Sequence, residues 1–140
     1  MTVQLHPRLA QDCILLGRFP LSLLLLMNDA RYPWFILVPD RERITEIYQL
    51  SPEDQARLQQ ESCHLAERLA TLFSAHKMNI AALGNVVPQL HVHHIVRYTH
   101  DPAWPGPVWG KLPATPYADE AVENLRRQAQ EILEMGYTPL

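Results

Sequence analysis

Val87-Pro88-Gln89-Leu90-His91-Val92-His93-His94-Ile95-Val96-Arg97-Tyr98 alternates apolar and polar residues over most of its length. Successive side chains of a strand point to opposite faces. Leu90, Val92, His94, Val96 and Tyr98 therefore share one face, and Gln89, His91, His93, Ile95 and Arg97 share the other. The first set is mainly apolar and is expected to face a core beneath a helix. The second is polar and basic, and is expected to line an open cleft. Upstream, Gly84-Asn85 is a turn signal and Met78 to Leu83 reads as another strand.

Ser51-Pro52-Glu53-Asp54 is a strong helix start: Ser caps, Pro takes the first helical position and acids occupy the first turn. Leu58, Leu65, Leu69, Leu72 and Phe73 then recur at helical spacing, while Asp54, Gln55, Glu61, Glu67 and Arg68 fall mostly off that stripe. This predicts one long central helix ending near Lys77, after a short helical turn within Arg43 to Leu50. Before it, Cys13 to Phe19 and Leu21 to Met27 read as adjacent strands, a pattern that a buried helix also fits, and Asn28-Asp29-Ala30-Arg31 reads as a turn. Trp34 to Val38, between Pro33 and Pro39, reads as a buried strand. Asp101 to Pro116 holds five of the twelve prolines together with Trp104 and Trp109, which excludes helix and interior strand. A lid over apolar sheet surface and a direct ligand contact both fit that stretch. Asp119 to Met135 is a second amphipathic helix, with Val122, Leu125, Ala129, Ile132 and Leu133 on one side. The expected fold is α+β, one domain over 1–140, with helices on one face of the sheet.

With 140 residues, 47% hydrophobic and 19% charged, the chain has material for a packed core and is not a disordered type. A net charge of −3 gives no electrostatic footprint for duplex nucleic acid. The longest apolar run, Leu23 to Met27, is far short of the roughly 20 residues needed to span a bilayer, so no membrane partner is expected. No basic n-region with an apolar run opens the chain, and two cysteines, Cys13 and Cys63, fit a reducing compartment. The expectation is a cytoplasmic protein.

Four of the seven histidines lie between His91 and His100. On a strand, His91 and His93 stand about 7 Å apart at Cα, so both rings can reach one small anionic group. One imidazole can attack while the other donates hydrogen bonds. The turn at Gly84 and Asn85 can add backbone N–H groups and an amide for phosphate oxygens. Two other readings fit the same residues. They are structural histidines on a half-buried strand, or half of a zinc site. Zinc needs a third ligand, which His94, on the opposite face, and His100, beyond the strand, are poorly placed to supply. His94 is expected to pack in the core.

Taken as a whole, Gly84-Asn85-Val86-Val87-Pro88-Gln89-Leu90-His91-Val92-His93-His94-Ile95-Val96-Arg97 resembles the signature of the histidine triad (HIT) family of nucleotide hydrolases and nucleotidyl transferases. That signature reads Gly-Gln-[Ser/Thr]-Val-x-His-x-His-x-His. Gly84, Val87 and Arg97 match, and Gln89, His91 and His93 fall on the three triad positions, a bacterial-type Gln-x-His-x-His variant. The shifted register, with His91 first, loses the Val87 and Arg97 matches. Leu24 to Pro39 resembles the family's apolar strand, Asn/Asp turn and second strand, so the likeness covers about residues 20–97. It implies an antiparallel sheet of about five strands with a long central helix and a C-terminal helix, in a homodimer whose sheet continues across the subunits.

The resemblance also implies roles. His91 would be the nucleophile at the α-phosphorus, and His93 would bond phosphate and assist the leaving group, with Gln89 as the third catalytic member. Asn28 would meet the ribose, and Asn79, Asn85 and Arg97 would complete the substrate site. The substrate would be a small-molecule nucleotide, and neither metal nor organic cofactor is needed. The sequence departs from the family where Gln89 and Trp34 replace histidines, where Val86 replaces Ser or Thr, and where Val96 replaces Pro. Those departures leave a nucleotide-binding protein with weak or no turnover as an alternative, beside a zinc-binding or structural module.

Overall fold

The computed structural model describes residues 2–140. The elements are α1 (Pro7–Asp12), β1 (Cys13–Arg18), β2 (Ser22–Met27), β3 (Trp34–Pro39), a 3-10 turn (Ile47–Gln49), α2 (Pro52–Phe73), β4 (Lys77–Ala82), β5 (Val92–Arg97), α3 (Asp119–Ile132) and β6 (Thr138–Pro139). The strands form one sheet in the order β4-β5-β3-β2-β1-β6, with every neighbouring pair antiparallel. This is the expected α+β sheet with a long central and a C-terminal helix. The two-residue β6, which closes the C-terminus onto β1, brings the strands to six. It pairs Thr138 with Arg18 and Pro139 with Gly17. A Cβ on Gly17 would collide with the Thr138 carbonyl oxygen, so the close approach of β6 requires glycine there.

The helix start is built as its residues dictate. Ser51 Oγ accepts from the Asp54 N–H at 3.1 Å, Pro52 opens the helix, and Glu53 and Asp54 sit at its positive end. The helix stops at Phe73 rather than near Lys77 because Ser74 takes the left-handed conformation, φ 50°. The terminal helix likewise stops at Ile132, and left-handed Met135 and Gly136 turn the chain into β6. α1 was not foreseen, because it is six residues long and carries no amphipathic period.

Two apolar layers cover the sheet. Leu24, Leu26, Phe35, Leu37, Val92 and Val96 pack against Leu58, Leu65 and Leu69 of α2 and Ala129 and Leu133 at the end of α3. The opposite face carries Leu23, Leu25, Trp34, Ile36 and Ile95, covered by Leu9 of α1 and by Ala103 and Val108. The expected open cleft on that face is therefore mostly roofed: Ile95 and Arg97 are buried with His91 and His93. The proline-rich stretch is that roof.

Two further expectations change. The strand begins at Val92, so Gln89 and His91 lie in the loop that precedes it. Glu61, read as off the buried stripe, is buried in α2, where its Oε2 accepts from the Leu21 N–H at 2.8 Å. A carboxylate at that position satisfies a backbone donor of the β1–β2 turn that has no ladder partner. His94 does point at the helix layer, bonded to Ser62 of α2.

Candidate active site

The two loop-and-strand histidines meet: the His91 and His93 ring centroids are 4.8 Å apart, nearly perpendicular at 73°. Their tautomers follow from their partners. His91 Nδ1 lies 2.7 Å from the Gln89 carbonyl oxygen. A carbonyl only accepts, so this nitrogen carries the proton and the neutral ring keeps its lone pair on Nε2. His93 Nδ1 lies 2.9 Å from Trp34 Nε1. An indole N–H only donates, so this nitrogen is bare and the neutral ring carries its proton on Nε2. One ring thus offers a nucleophilic lone pair and its neighbour an N–H donor.

Burial, reinforced by the neighbouring His91 and His94, lowers the His93 pKa to about 3. At neutral pH His93 is an uncharged donor. Burial also lowers His94 to about 4. Its Nδ1–H donates to the Val92 carbonyl at 3.0 Å, and its Nε2 accepts from the Ser62 hydroxyl at 2.7 Å.

Both histidines bind protons less readily folded than unfolded, so stability falls as pH drops below about 6.5, at about 1.4 kcal/mol per pH unit for each group until its folded pKa is reached. Asp101 acts in the same direction in a lower pH window. Despite burial, its bonds to Arg97 and to backbone N–H groups hold its pKa at about 2, so its stabilisation is lost only below about pH 3.8. The urea midpoint is expected to decline steadily from pH 6.5 to 4.5. The double replacement His94→Leu with Ser62→Ala is expected to reduce that slope by about half. A flat profile over this range would contradict the buried neutral histidines.

Two clefts border His91. The smaller, about 190 Å³, is lined by Arg8, Leu9 and Asp12 of α1, Met27, Asn85 to Val87, His91, His93 and Trp109, and is mainly apolar. The larger, about 410 Å³, lies across the 83–90 loop and is more polar, with Thr45, Glu46, Asn85 and Gln89 around it. His93 faces the apolar cleft alone, and His91 stands where the two adjoin. Trp109 packs edge-on against His93 at 5.0 Å and against Trp34 at 5.9 Å. The proline-rich stretch therefore serves as both lid and cleft wall.

Of the residues expected at the site, His91, His93 and Asn85 come together. Gln89 is beside them, but its side chain is turned to the N-terminal segment: Oε1 accepts from the His6 N–H at 2.8 Å and Nε2 donates to the Gln4 carbonyl at 3.2 Å. Arg97 is buried away from the clefts. It donates to both Asp101 carboxylate oxygens at 2.8 and 3.0 Å, to Asn79 Oδ1 at 2.8 Å and to the Gly106 carbonyl at 2.8 Å. Asn79 Oδ1 is thereby engaged, on a groove along β4. Asn28 Oδ1 accepts from the Tyr117 N–H at 2.9 Å, just past Met27. Among the described residues no group of three or more His, Cys, Asp or Glu is placed to hold a metal ion. The zinc reading thus has no third ligand.

The α1 wall leaves no sign in the sequence, whereas Trp34 is marked there only as the replacement of a family histidine and Trp109 only as part of a stretch that fits a lid or a ligand contact. Trp34 shares the His93 face of the sheet, pairing with Ile95 while Ile36 pairs with His93. Its alternation with Ile36 was legible; the register that brings its indole to His93 was not. Trp34→Phe removes the donor and leaves the buried His93 Nδ1 unpaired, an expected cost of about 1–3 kcal/mol. Nitrogen-15 NMR of the imidazoles checks it: wild type is expected to show His93 as a single tautomer protonated at Nε2, and the variant a mixture.

The sequence matches the HIT domain family over residues 8–100. A histidine triad protein from Marinobacter aquaeolei VT8 is 54% identical with a TM-score of 0.93, the match covering 97% of this chain and 99% of that one. Another from Sinorhizobium meliloti 1021 is 46% identical with a TM-score of 0.91, covering 93% and 96%. A third from Bradyrhizobium japonicum is 42% identical with a TM-score of 0.92, covering 96% and 100%. No curated protein matches the sequence.

Proposed function

This chain belongs to the histidine triad family, whose members are nucleotide-binding hydrolases and transferases, and on that premise we propose that it cleaves a nucleotide phosphoanhydride or phosphoramidate through a nucleotidyl-histidine. The observation that carries this reading is the opposed tautomer pair, a free Nε2 lone pair on His91 and an Nε2–H on His93. His91 Nε2 attacks the α-phosphorus in line. The P–N bond forms as the leaving group departs with the bonding electron pair. His93 Nε2–H stabilises charge on the departing or equatorial oxygen as a neutral donor. Water then attacks phosphorus, the P–N bond breaks, and a nucleoside monophosphate leaves with His91 restored. With an acceptor other than water the same intermediate gives nucleotidyl transfer.

Leu9, Met27, Val87 and Trp109 supply the apolar surface a nucleoside needs, and Asn85 with the loop N–H groups adjoins the phosphate position. This chemistry requires neither metal nor organic cofactor. The working unit we propose is a homodimer joined at β4. That strand pairs with β5 on one side, and no strand among the described residues pairs with its other edge, while Ile80 on it is 49% exposed. No helix among the described residues is long and apolar enough to cross a membrane. The free Cys13 and Cys63 suit a reducing cytoplasm.

Hydrolysis of a substrate made chiral at the α-phosphorus tests the mechanism. Two displacements give retention of configuration, and direct attack by water gives inversion. Exposed Val86, where the family signature has a hydroxyl residue, favours a second reading, a nucleotide-binding protein without turnover. Tight nucleotide binding with no product would support that reading instead.

A further inference from the structure

Gln89 stands at the first triad position, yet its side chain makes no bond toward His93. It reaches 83 and 85 residues back along the chain, accepting from His6 N–H and donating to the Gln4 carbonyl. At its other end, the Gln89 carbonyl accepts the Nδ1–H of His91. The segment it holds is a strap. Val3 N–H is fixed to Asp40 at 2.6 Å, and Val3 and Leu5 pack on the apolar layer that contains Leu9. His6 then caps α1, its Nδ1 accepting from the Arg8 N–H at 3.0 Å. α1 carries Leu9, Arg8 and Asp12 into the wall of the apolar cleft. One residue thus joins the orientation of His91 to the placement of the wall opposite it.

We propose that Gln89 is a positioning residue: its amide fastens the N-terminal strap, and through α1 sets the nucleotide-binding wall, rather than acting on phosphate or on a proton. An amide suits this task because it accepts and donates at once, pairing two backbone groups two residues apart on the strap, the His6 N–H and the Gln4 carbonyl. Histidine at this position could pair one of them at each ring nitrogen only with a different spacing. The proposal rests on the reading of the cleft as a nucleotide site.

The strap accounts for a specific kinetic signature. Gln89→Ala keeps the backbone carbonyl that orients His91, so the rate at saturating nucleotide is expected to stay within about threefold of wild type. KM for the nucleotide, and Kd for its monophosphate product, are expected to rise about tenfold or more. Hydrogen exchange of residues 3–9 is expected to quicken by a similar factor, since the local opening loses two bonds. His6→Pro removes the same hydrogen bond from the other side, at a φ of −53° that proline tolerates. Because it also removes the His6 cap on Arg8 N–H, it is expected to raise KM at least as much as Gln89→Ala, and the double variant to raise it by less than the product of the two single effects. Gln89→Glu, which accepts from His6 N–H but cannot donate to Gln4, is expected to fall between. A drop of about 100-fold in the saturating rate of Gln89→Ala with KM unchanged would overturn the proposal and place the side chain in the chemistry. Equal nucleotide affinity in wild type and Gln89→Ala would overturn it as well. A wild type that binds no nucleotide would overturn the functional reading, and with it the wall role assigned here.

Discussion

Asp101→Ala is expected to destabilise the protein by about 3–5 kcal/mol, the largest stability loss of any single replacement outside the apolar core. The Arg97 and Asp101 side chains are 1% and 3% exposed, so removing the carboxylate leaves a guanidinium buried without a counter-charge. Tyr98 N–H and Ala103 N–H, each at 3.1 Å from the carboxylate, lose their acceptor too, and Trp104 N–H loses its 2.8 Å bond and keeps only the Asp101 backbone carbonyl at 3.2 Å. Arg97 also lies 5.6 Å from the Trp104 ring and 6.0 Å from that of Tyr32. The pair is thus the fastening of the 101–109 roof, and Trp109 at its end is what packs on His93. Urea unfolding checks the energy. Replacing both partners, Arg97→Met with Asp101→Ala, is expected to cost less than Asp101→Ala alone, because no unpaired charge remains. A loss below about 1 kcal/mol in the single variant would show that the roof is held chiefly by its apolar contacts.

His91→Ala is expected to lower turnover by about 10⁴-fold or more, since it removes the group that forms the covalent bond. Stability should change less than in His93→Ala, because the His91 ring borders both clefts and makes one hydrogen bond, to the Gln89 carbonyl. His93→Ala is expected to be milder in turnover and worse in stability. Its ring lies between Trp34 and Trp109, and its loss opens a cavity and strands the buried Trp34 N–H. The contrast between the two variants separates the attacking ring from the donor ring. Equal losses of turnover in both would argue that neither has a distinct role.

The parts of this fold that depend on local chemistry were legible in the sequence. Ser51-Pro52-Glu53-Asp54 starts its helix as those residue types require, and the alternation from Leu90 to Val96 separates the two faces, with His94 on the helix side. The His91–His93 pair was legible for a partly mistaken reason: His91 precedes the strand, and the loop returns its ring to the same side. What was hidden depends on long-range pairing. Arg97 reads as a site cation, and it becomes a structural clamp only because the chain folds Asp101 back over it. Glu61 reads as a solvated helix charge until the β1–β2 turn presents the Leu21 N–H. Trp34, Gln89 and α1 meet the site through sheet register and an 83-residue contact, neither of which leaves a local pattern.

The central claim is that His91 forms a covalent bond to phosphorus. Mixing the protein with an adenosine 5′-phosphoramidate or anhydride substrate, quenching within milliseconds in base, and measuring intact mass tests it directly. Wild type is predicted to gain the mass of one adenylyl group, localised to the peptide that contains His91, with no such species in His91→Ala. Turnover of the same substrate with no adduct at any quench time, or an adduct that persists in His91→Ala, would contradict the account.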